Sequence, residues 1–458
     1  MKFKKIILTA LIAVFALTNM APCFAWWQKK KTNEDTQDYR LESVNIDWWD
    51  NFDDENLKNY ILAAVENNHD LRIATLRTQE YKQFVKVAQA SQLPTVSMPA
   101  NLMRVKTPSI GAIPSDTTTM FALPFIASWE ADIFLKNYDK TKSAKKAYEA
   151  SQYAEKSAYL SLASNVATVY LNIVKLDKLI EEQEKITQSR KEIYELMKLR
   201  ADSGLSSVFD ATMSNKFHTM SQIVLADLYK ERQLLLNQLA TLTGVSSADS
   251  ESFKRTALEE IEFGTEVPKE ISSDILVQRP DIMKAEADLA RAGIDVRVAR
   301  KEFLPTIPIM GVLGFASSSL NGLFDWKNTL ALGAVGLTHN FFAGGARVAN
   351  LKIKKIQYEE IFEAYKKADL EAIQETNDAL CKVKYDGQKY DDNLKKYELE
   401  AKNFELVKAK YEAGVISRLD MLQQEENLRT LSFDVFSSKT QRLVNYIGLF
   451  KAAGGKFN

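Results

Sequence analysis

Residues 70–95 read DLRIATLRTQEYKQFVKVAQASQLPT, and residues 281–306 read DIMKAEADLARAGIDVRVARKEFLPT. Laid over each other at an offset of 211, they match Asp70 with Asp281, Ala74 with Ala285, Val85 with Val296, Val87 with Val298 and Ala88 with Ala299. Both close on Leu-Pro-Thr, at Leu93 to Thr95 and Leu304 to Thr306. Further along, with the offset shortened by one, Gly204, Ser207 and Asp210 lie on Gly414, Ser417 and Asp420. Two separated matches at nearly one offset are the mark of an internal duplication, which has to be recognised before any element is assigned.

Each copy reads the same way. A helix is expected from about Glu55 to Gln92, and its counterpart from about Ser272 to Phe303. Both stop before a proline (Pro94, Pro305), because the residue ahead of proline is pushed out of helical geometry. Period-2 stretches follow at about 95–106 and 119–132 in the first copy, and at about 306–316 and 329–341 in the second. In the latter Ile307, Ile309, Gly311, Leu313 and Phe315 share a face. Strands of this length exceed the usual soluble strand and suit a tilted membrane-spanning one; the alternative is a soluble hairpin covered by another sheet. The segments between, Pro108 to Asp116 and Ser317 to Lys327, read as loops. Long helices come next. Leu162, Val166, Val169, Ile173, Leu176 and Ile180 step by fours and threes as a heptad seam, repeated at Tyr390, Leu394, Tyr397, Ala401 and Phe404. About 60 residues separate strand end from glycine, enough for a helix of roughly 90 Å. A return helix follows each glycine.

The other boundaries follow from composition. Lys2, Lys4 and Lys5, an apolar run from Ile6 to Leu17 and small residues at Ala21, Cys23 and Ala25 form a signal-peptide pattern at residues 1–25. The first repeat then occupies 26–250, a linker 251–271 and the second repeat 272–458. Basic and acidic residues number 60 each, so the net charge is zero and no basic stripe points to nucleic acid. Only 17 glycines and 10 prolines are present, too few for a turn-rich fold. His69, His218 and His339 have no ligand spacing, so neither a metal nor a cofactor is expected. No catalytic constellation emerges, and an enzyme is not expected. The acidic residues fall on polar helix faces, where solvated charge is the default.

Four strands cannot close a membrane barrel, since eight is the smallest usual number. An open edge in lipid leaves backbone groups unpaired, so spanning strands would have to be shared among several chains. Four motifs stand along the chain: Trp48-Trp49 with Phe52, Leu57 and Asn67 to Leu71; Gln278-Arg279-Pro280-Asp281-Ile282 with Ala285 and Glu286; Phe342 to Arg347; and Tyr411 to Gly414 with Ser417 to Asp420. In this order and spacing they are specific, and they resemble a known family, the outer-membrane efflux proteins of the TolC and OprM type. The resemblance implies a mainly helical fold with transmembrane β: long helical hairpins forming a periplasmic tunnel, and four strands per protomer in a shared trimeric 12-stranded barrel. It implies a passive outer-membrane exit duct of a tripartite efflux or export system, opening by helix movement at its periplasmic tip. The partners would be two further copies, outer-membrane lipid, a periplasmic adaptor and an inner-membrane transporter. The Trp-Trp and Gln-Arg-Pro-Asp motifs favour the OprM (NodT-type) branch, usually lipidated, which raises Cys23 as a lipid anchor; Met20 and Pro22 around it depart from the lipoprotein pattern. A periplasmic coiled-coil adaptor without a pore is the alternative reading.

Asp210 and Asp420 have two readings, compatible with each other. As helix caps they pair with Ser207 and Ser417, while Gly204 and Gly414 supply the turns. As a gate, three copies of each would stand near the tunnel's closed end in a trimer; the resemblance implies acidic rings that narrow the bore there, Asp420 matching such a position and Gln423 standing where a second acid would be. Tyr411 corresponds to the family's tip latch, with seam packing as the plain alternative. Arg279 and Asp281 form a local structural pair. Gly344 and Gly345 supply a positive-φ turn, for which the first copy has Phe134-Leu135-Lys136. Mass spectrometry of the purified protein should find a mature N-terminus at Trp26. A diacylated Cys23 at the N-terminus would instead establish the lipid anchor.

Overall fold

The computed structural model describes residues 44–107, 116–265, 268 and 270–456. The expected signal peptide with Cys23, and nearly all of the Pro108 to Asp116 loop, lie outside them. In chain order the elements are α1 (Glu55–Asn67), α2 (His69–Ala90), β1 (Thr95–Ser97), β2 (Asn101–Thr107), β3 (Asp116–Glu130), α3 (Lys136–Asp202) and α4 (Val208–Thr243). The second copy supplies α5 (Ser273–Val277), α6 (Pro280–Lys301), β4 (Pro308–Ser317), β5 (Thr329–Val335), α7 (Ala346–Glu412) and α8 (Arg418–Ala452). None of the described helices is long and apolar enough to cross a membrane. The described residues divide into two compact units, one drawn from 78–151 and 285–365 and the other from 44–77, 152–284 and 366–456.

The first unit holds an antiparallel sheet in which β3 pairs β4 and β4 pairs β5, joining the two copies. On its other side β3 receives both β1 and β2. The single strand expected over 95–106 is thus interrupted, and the register explains why. Ser97 pairs with Ile126 and Asn101 with Ala122, so the intervening Pro99 stands opposite Pro124. Neither proline has an N–H to donate, and the ladder lapses between them. The strand resumes in unchanged register, so the sheet still has four strand positions. β5 ends at Val335, short of the expected Phe341, with an isolated bridge from Thr306 to Thr338 beyond it. Large apolar side chains stand open along the sheet: Leu102 is 66%, Leu332 54% and Val335 73% exposed. A soluble sheet rarely leaves so much uncovered.

The strand-to-helix turns differ between copies. Gly344 and Gly345 have φ of +58 and +80. At the matching place in the first copy Leu135 takes φ +57, a left-handed conformation that costs a side-chain-bearing residue about 1 kcal/mol or more.

The second unit is built around aromatic rings. Trp48 stacks on Phe450 with centroids 3.7 Å apart, and meets Trp49 and Phe52 edge-on. Phe263, from the linker, leans on Trp48 and Phe52. Phe52 and Phe450 are fully buried, each contributing about 1.5–3 kcal/mol. Asp54 caps α1 by accepting from Asn56 N–H and Leu57 N–H, and also accepts from Tyr170 (2.8 Å) and Thr256 (2.9 Å). One carboxylate thus ties the first helix, α3 and the linker together. Val166, Val169, Ile173, Leu176 and Ile180 are buried, whereas Tyr390, Leu394, Tyr397, Ala401 and Phe404 are only half covered.

Two helices expected to be continuous are broken. The first stops at Asn68, whose backbone turns extended (φ −64, ψ 127). Its side-chain oxygen accepts from Leu71 N–H while its amide donates to the Leu242 carbonyl. The second breaks at Gln278 and Arg279 because Pro280 follows, and α6 opens with that proline, where a missing N–H costs nothing.

Gly314 offers a direct test of the sheet. A Cβ there would lie 2.4 Å from both the Leu123 carbonyl oxygen and the Pro124 Cα, whereas at Gly333 it would meet nothing within 4 Å. Gly314→Ala should weaken the sheet by about 1–3 kcal/mol, the range for overpacking, and lower the temperature at which the folded species is lost on heated gels. Gly333→Ala should leave that temperature unchanged.

Candidate functional site

Of the residues singled out in the sequence, Gly204, Asp210, Tyr411, Gly414 and Asp420 lie at the two hairpin tips, and Gly344 and Gly345 at the turn from strand to helix. α3 ends at Asp202 and α4 begins at Val208; α7 ends at Glu412 and α8 begins at Arg418. Each first helix stops through the same device. Gly204 (φ +75) donates to the Ala201 carbonyl while Leu205 N–H reaches back to Arg200 at 2.7 Å. Gly414 (φ +73) donates to Tyr411 while Val415 N–H reaches Lys410 at 2.9 Å. This is a left-handed C-terminal cap that satisfies the last carbonyls.

Each return helix begins with a reciprocal capping box. Asp210 N–H donates to the Ser207 hydroxyl at 3.2 Å and Ser207 N–H donates to the Asp210 carboxylate at 3.3 Å. The Ser417 and Asp420 pair shows the same exchange at 3.2 and 3.1 Å, and there the Ser417 hydroxyl also donates to the carboxylate at 2.7 Å. That hydroxyl, then the Ser417 N–H, holds the Asp420 carboxyl below its usual range, so the exposed side chain is an anion at neutral pH. Asp210 lines an open cleft of about 590 Å³ between the first hairpin and α8, with Met197, Phe209, Met213, Phe217 and Glu426. Asp420 is outside that cleft. Tyr411 is half-buried, and the Arg418 guanidinium stands over its ring at 5.9 Å.

That guanidinium belongs to a feature missed in the sequence. Arg418 makes a two-pronged pair with Glu192 at 2.8 and 3.1 Å. Arg190 holds Glu426 at 2.5 and 2.9 Å, and Arg429 holds Glu182 at 2.8 Å. Signs alternate along both helices: Glu182, Arg190 and Glu192 on α3 meet Arg429, Glu426 and Arg418 on α8. These acids were expected to be solvated. Instead they link the first hairpin to the second, and the signal that could have revealed them is the matched alternation read antiparallel.

Arg279 and Asp281 are apart from the tips. They form the expected local pair (2.6 and 3.0 Å), but Arg279 also binds Glu375 at 2.6 Å and the Ala452 carbonyl at 3.0 Å. It therefore clamps α6 to α7 and to the end of α8. Cys23 is outside the described residues.

Comparison with known proteins agrees with this geometry. The model of a family described as "Outer membrane efflux protein" matches residues 61–245 and again 271–455, one match per copy. A Pseudomonas putida protein described as "Probable efflux pump outer membrane protein TtgC" is 25% identical over 441 residues, covering 96% of this chain and 91% of its own. The "Cation efflux system protein CusC" of Escherichia coli O157:H7 is 27% identical over 428 residues, covering 90% and 88%. The crystal structure of the Campylobacter jejuni CmeC outer membrane channel superposes with a TM-score of 0.83 at 25% identity, covering 94% of this chain and 90% of that one. An efflux pump outer membrane protein and an outer membrane channel among these relatives support the channel reading and not the adaptor one.

Arg418 and Glu192 are each more than a third exposed, so solvent screens them and their coupling should be small, about 0.5 kcal/mol. Hydrogen exchange at the tip amides should rise about twofold in Arg418→Ala and in Glu192→Ala, with the double variant no faster than either. Additive effects would mean the two do not interact. Arg418 holds the Glu192 carboxyl below its ordinary 4.5. The contribution is therefore complete above that value and is lost as pH falls through the depressed one.

Proposed function

The chain belongs to the outer membrane efflux protein family, and on that premise we propose that it is the passive exit duct of a tripartite system, built from three copies and opened at the hairpin tips. The observation that carries the trimer is the sheet. Among the described residues the strand formed by β1 and β2 pairs only with β3, and β5 only with β4, so each end of the sheet has an open edge there. In hydrocarbon each unpaired backbone group on such an edge costs several kcal/mol. Four strand positions from each of three copies close a twelve-stranded barrel with no edge left. The two repeats, 26–250 and 272–458 joined by 251–271, then supply the helices of a periplasmic tunnel.

A periplasmic adaptor and an energised inner-membrane transporter are the partners this reading requires, because a passive wall supplies no work of its own. In a threefold assembly Asp210 and Asp420 each recur three times, and the anionic Asp420 ring repels anions and attracts cations across the mouth. Tyr411, held under Arg418, latches the second hairpin. Opening separates the hairpins and breaks the ion pairs between α3 and α8, beginning with the exposed Arg418–Glu192 pair beside the tip and ending with Arg429–Glu182, whose carboxylate is buried.

Recording in planar bilayers tests this. Wild-type protein should give small, cation-selective currents. Asp210→Asn with Asp420→Asn should raise conductance several-fold and reduce cation selectivity, since Asn keeps the shape and removes the charge. Unchanged current and selectivity would remove both carboxylates from the bore, and absence of any channel would overturn the duct itself.

A further inference from the structure

The chain is electrically neutral overall, but its charge is not spread evenly. The helix ends nearest the strands are strongly basic. α2 carries Lys82 and Lys86 as it approaches β1, and α6 carries Arg297 and Arg300 as it approaches β4. Leaving the strands, α3 carries Lys140, Lys142 and Lys145, and α7 carries Lys352 and Lys355. All nine side chains are exposed, and all lie within about nine residues of a helix end, or about 14 Å along the axis. The acids in the same stretches, Asp139, Asp295 and Glu302, are turned inward on Lys301 (2.7 Å), Ser143 (2.5 Å) and Asn350 (2.9 Å). Asp139 also pairs with Arg297 at 3.8 Å and Glu130, at the end of β3, with Lys136 at 2.8 Å, which still leaves a clear excess of positive charge in these stretches.

Between these cations and the strands comes a second band. Phe341 and Phe342 are 91% and 88% exposed, and Tyr138, Ile133 and Leu135 are each at least half exposed. The Trp129 indole N–H donates to the Gln92 carbonyl at 2.9 Å, which leaves the ring at the strand end. Aromatic rings at a strand end followed by lysines and arginines form the layering of a membrane–water interface. Rings settle among the headgroups, and long cationic side chains reach up to the phosphates. A water-filled lumen would not favour phenylalanines standing almost wholly open beside the same lysines.

We propose that these helix ends form a basic collar that binds anionic phospholipid headgroups, of the phosphatidylglycerol class, in the leaflet facing the helices. The inference rests on the reading that the strands span a bilayer. It adds a lipid preference, supplied by both copies and repeated in every protomer. Each cation near an anionic surface is worth roughly a fivefold gain in binding, so several acting together produce a marked selectivity that salt screens away.

The test uses the full chain. Insertion into phosphatidylcholine vesicles first checks the strands; failure there would overturn the membrane reading itself. Protein in mild detergent is then offered equal phosphatidylglycerol and phosphatidylcholine, and the bound lipid is counted by native mass spectrometry. The collar predicts at least a tenfold preference for phosphatidylglycerol, abolished in 0.5 M salt and reduced several-fold in Lys140→Gln/Lys142→Gln/Lys145→Gln. Lys352→Gln/Lys355→Gln serves as the second variant should the first fail to assemble, and should lose several-fold as well. Equal binding of the two lipids by wild type, or an undiminished preference in folded variants, would overturn the collar. So would displacement of the lipid by millimolar inorganic phosphate, which would mark a free-anion site. A change in channel ion selectivity with lipid preference intact would place the cations in the lumen and overturn it too.

Discussion

A backbone N–H or C=O that enters hydrocarbon has nothing to bond but another backbone group, and the rest of this protein depends on that requirement. A chain with four strand positions cannot meet it alone. It must share a sheet with other copies, and a shared sheet commits the helices that follow to a common assembly. The demand is visible at single residues. Gly314 lacks a side chain because the Pro124 backbone occupies the space where one would go. Pro99 and Pro124 are tolerated because they spend their missing donors on each other.

Much of this could be read from the amino acids. The duplication, the membrane-type strands and the helical hairpins follow from one repeated stretch and from periodicity. The tip caps were also legible, because Gly, Ser and Asp at fixed offsets encode a local structure needing no distant partner. What stayed hidden was what depends on pairing across the fold. Asn68 looks like an ordinary helical residue until the Leu242 carbonyl is seen beside it. Glu182, Glu192 and Glu426 look solvated until α8 is laid antiparallel to α3. Pro280 was the exception, since its effect on Arg279 is local and applies the same rule used at Pro94 and Pro305.

The copies have diverged where burial differs. In the first, α3 is covered by α1 and by the linker through Asp54, Tyr170 and Thr256, and its seam is buried. In the second, the seam along α7 is half open and the strand-to-helix turn is made by two glycines in place of a strained leucine. The ion pairs between α3 and α8 join the two and grow deeper away from the tip, from the exposed Arg418–Glu192 to Arg429–Glu182 with its buried carboxylate.

Each tip satisfies its own hydrogen bonds within a handful of residues, through a left-handed glycine on one side and a Ser–Asp exchange on the other. Nothing in that closure draws on the side chains between them, which have drifted apart: Leu205 against Val415, Val208 against Arg418, Phe209 against Leu419. The turn is thus a fixed frame around a variable display. A lineage can rewrite what the tip presents to a new partner, one exposed residue at a time, without passing through an ancestor that fails to fold.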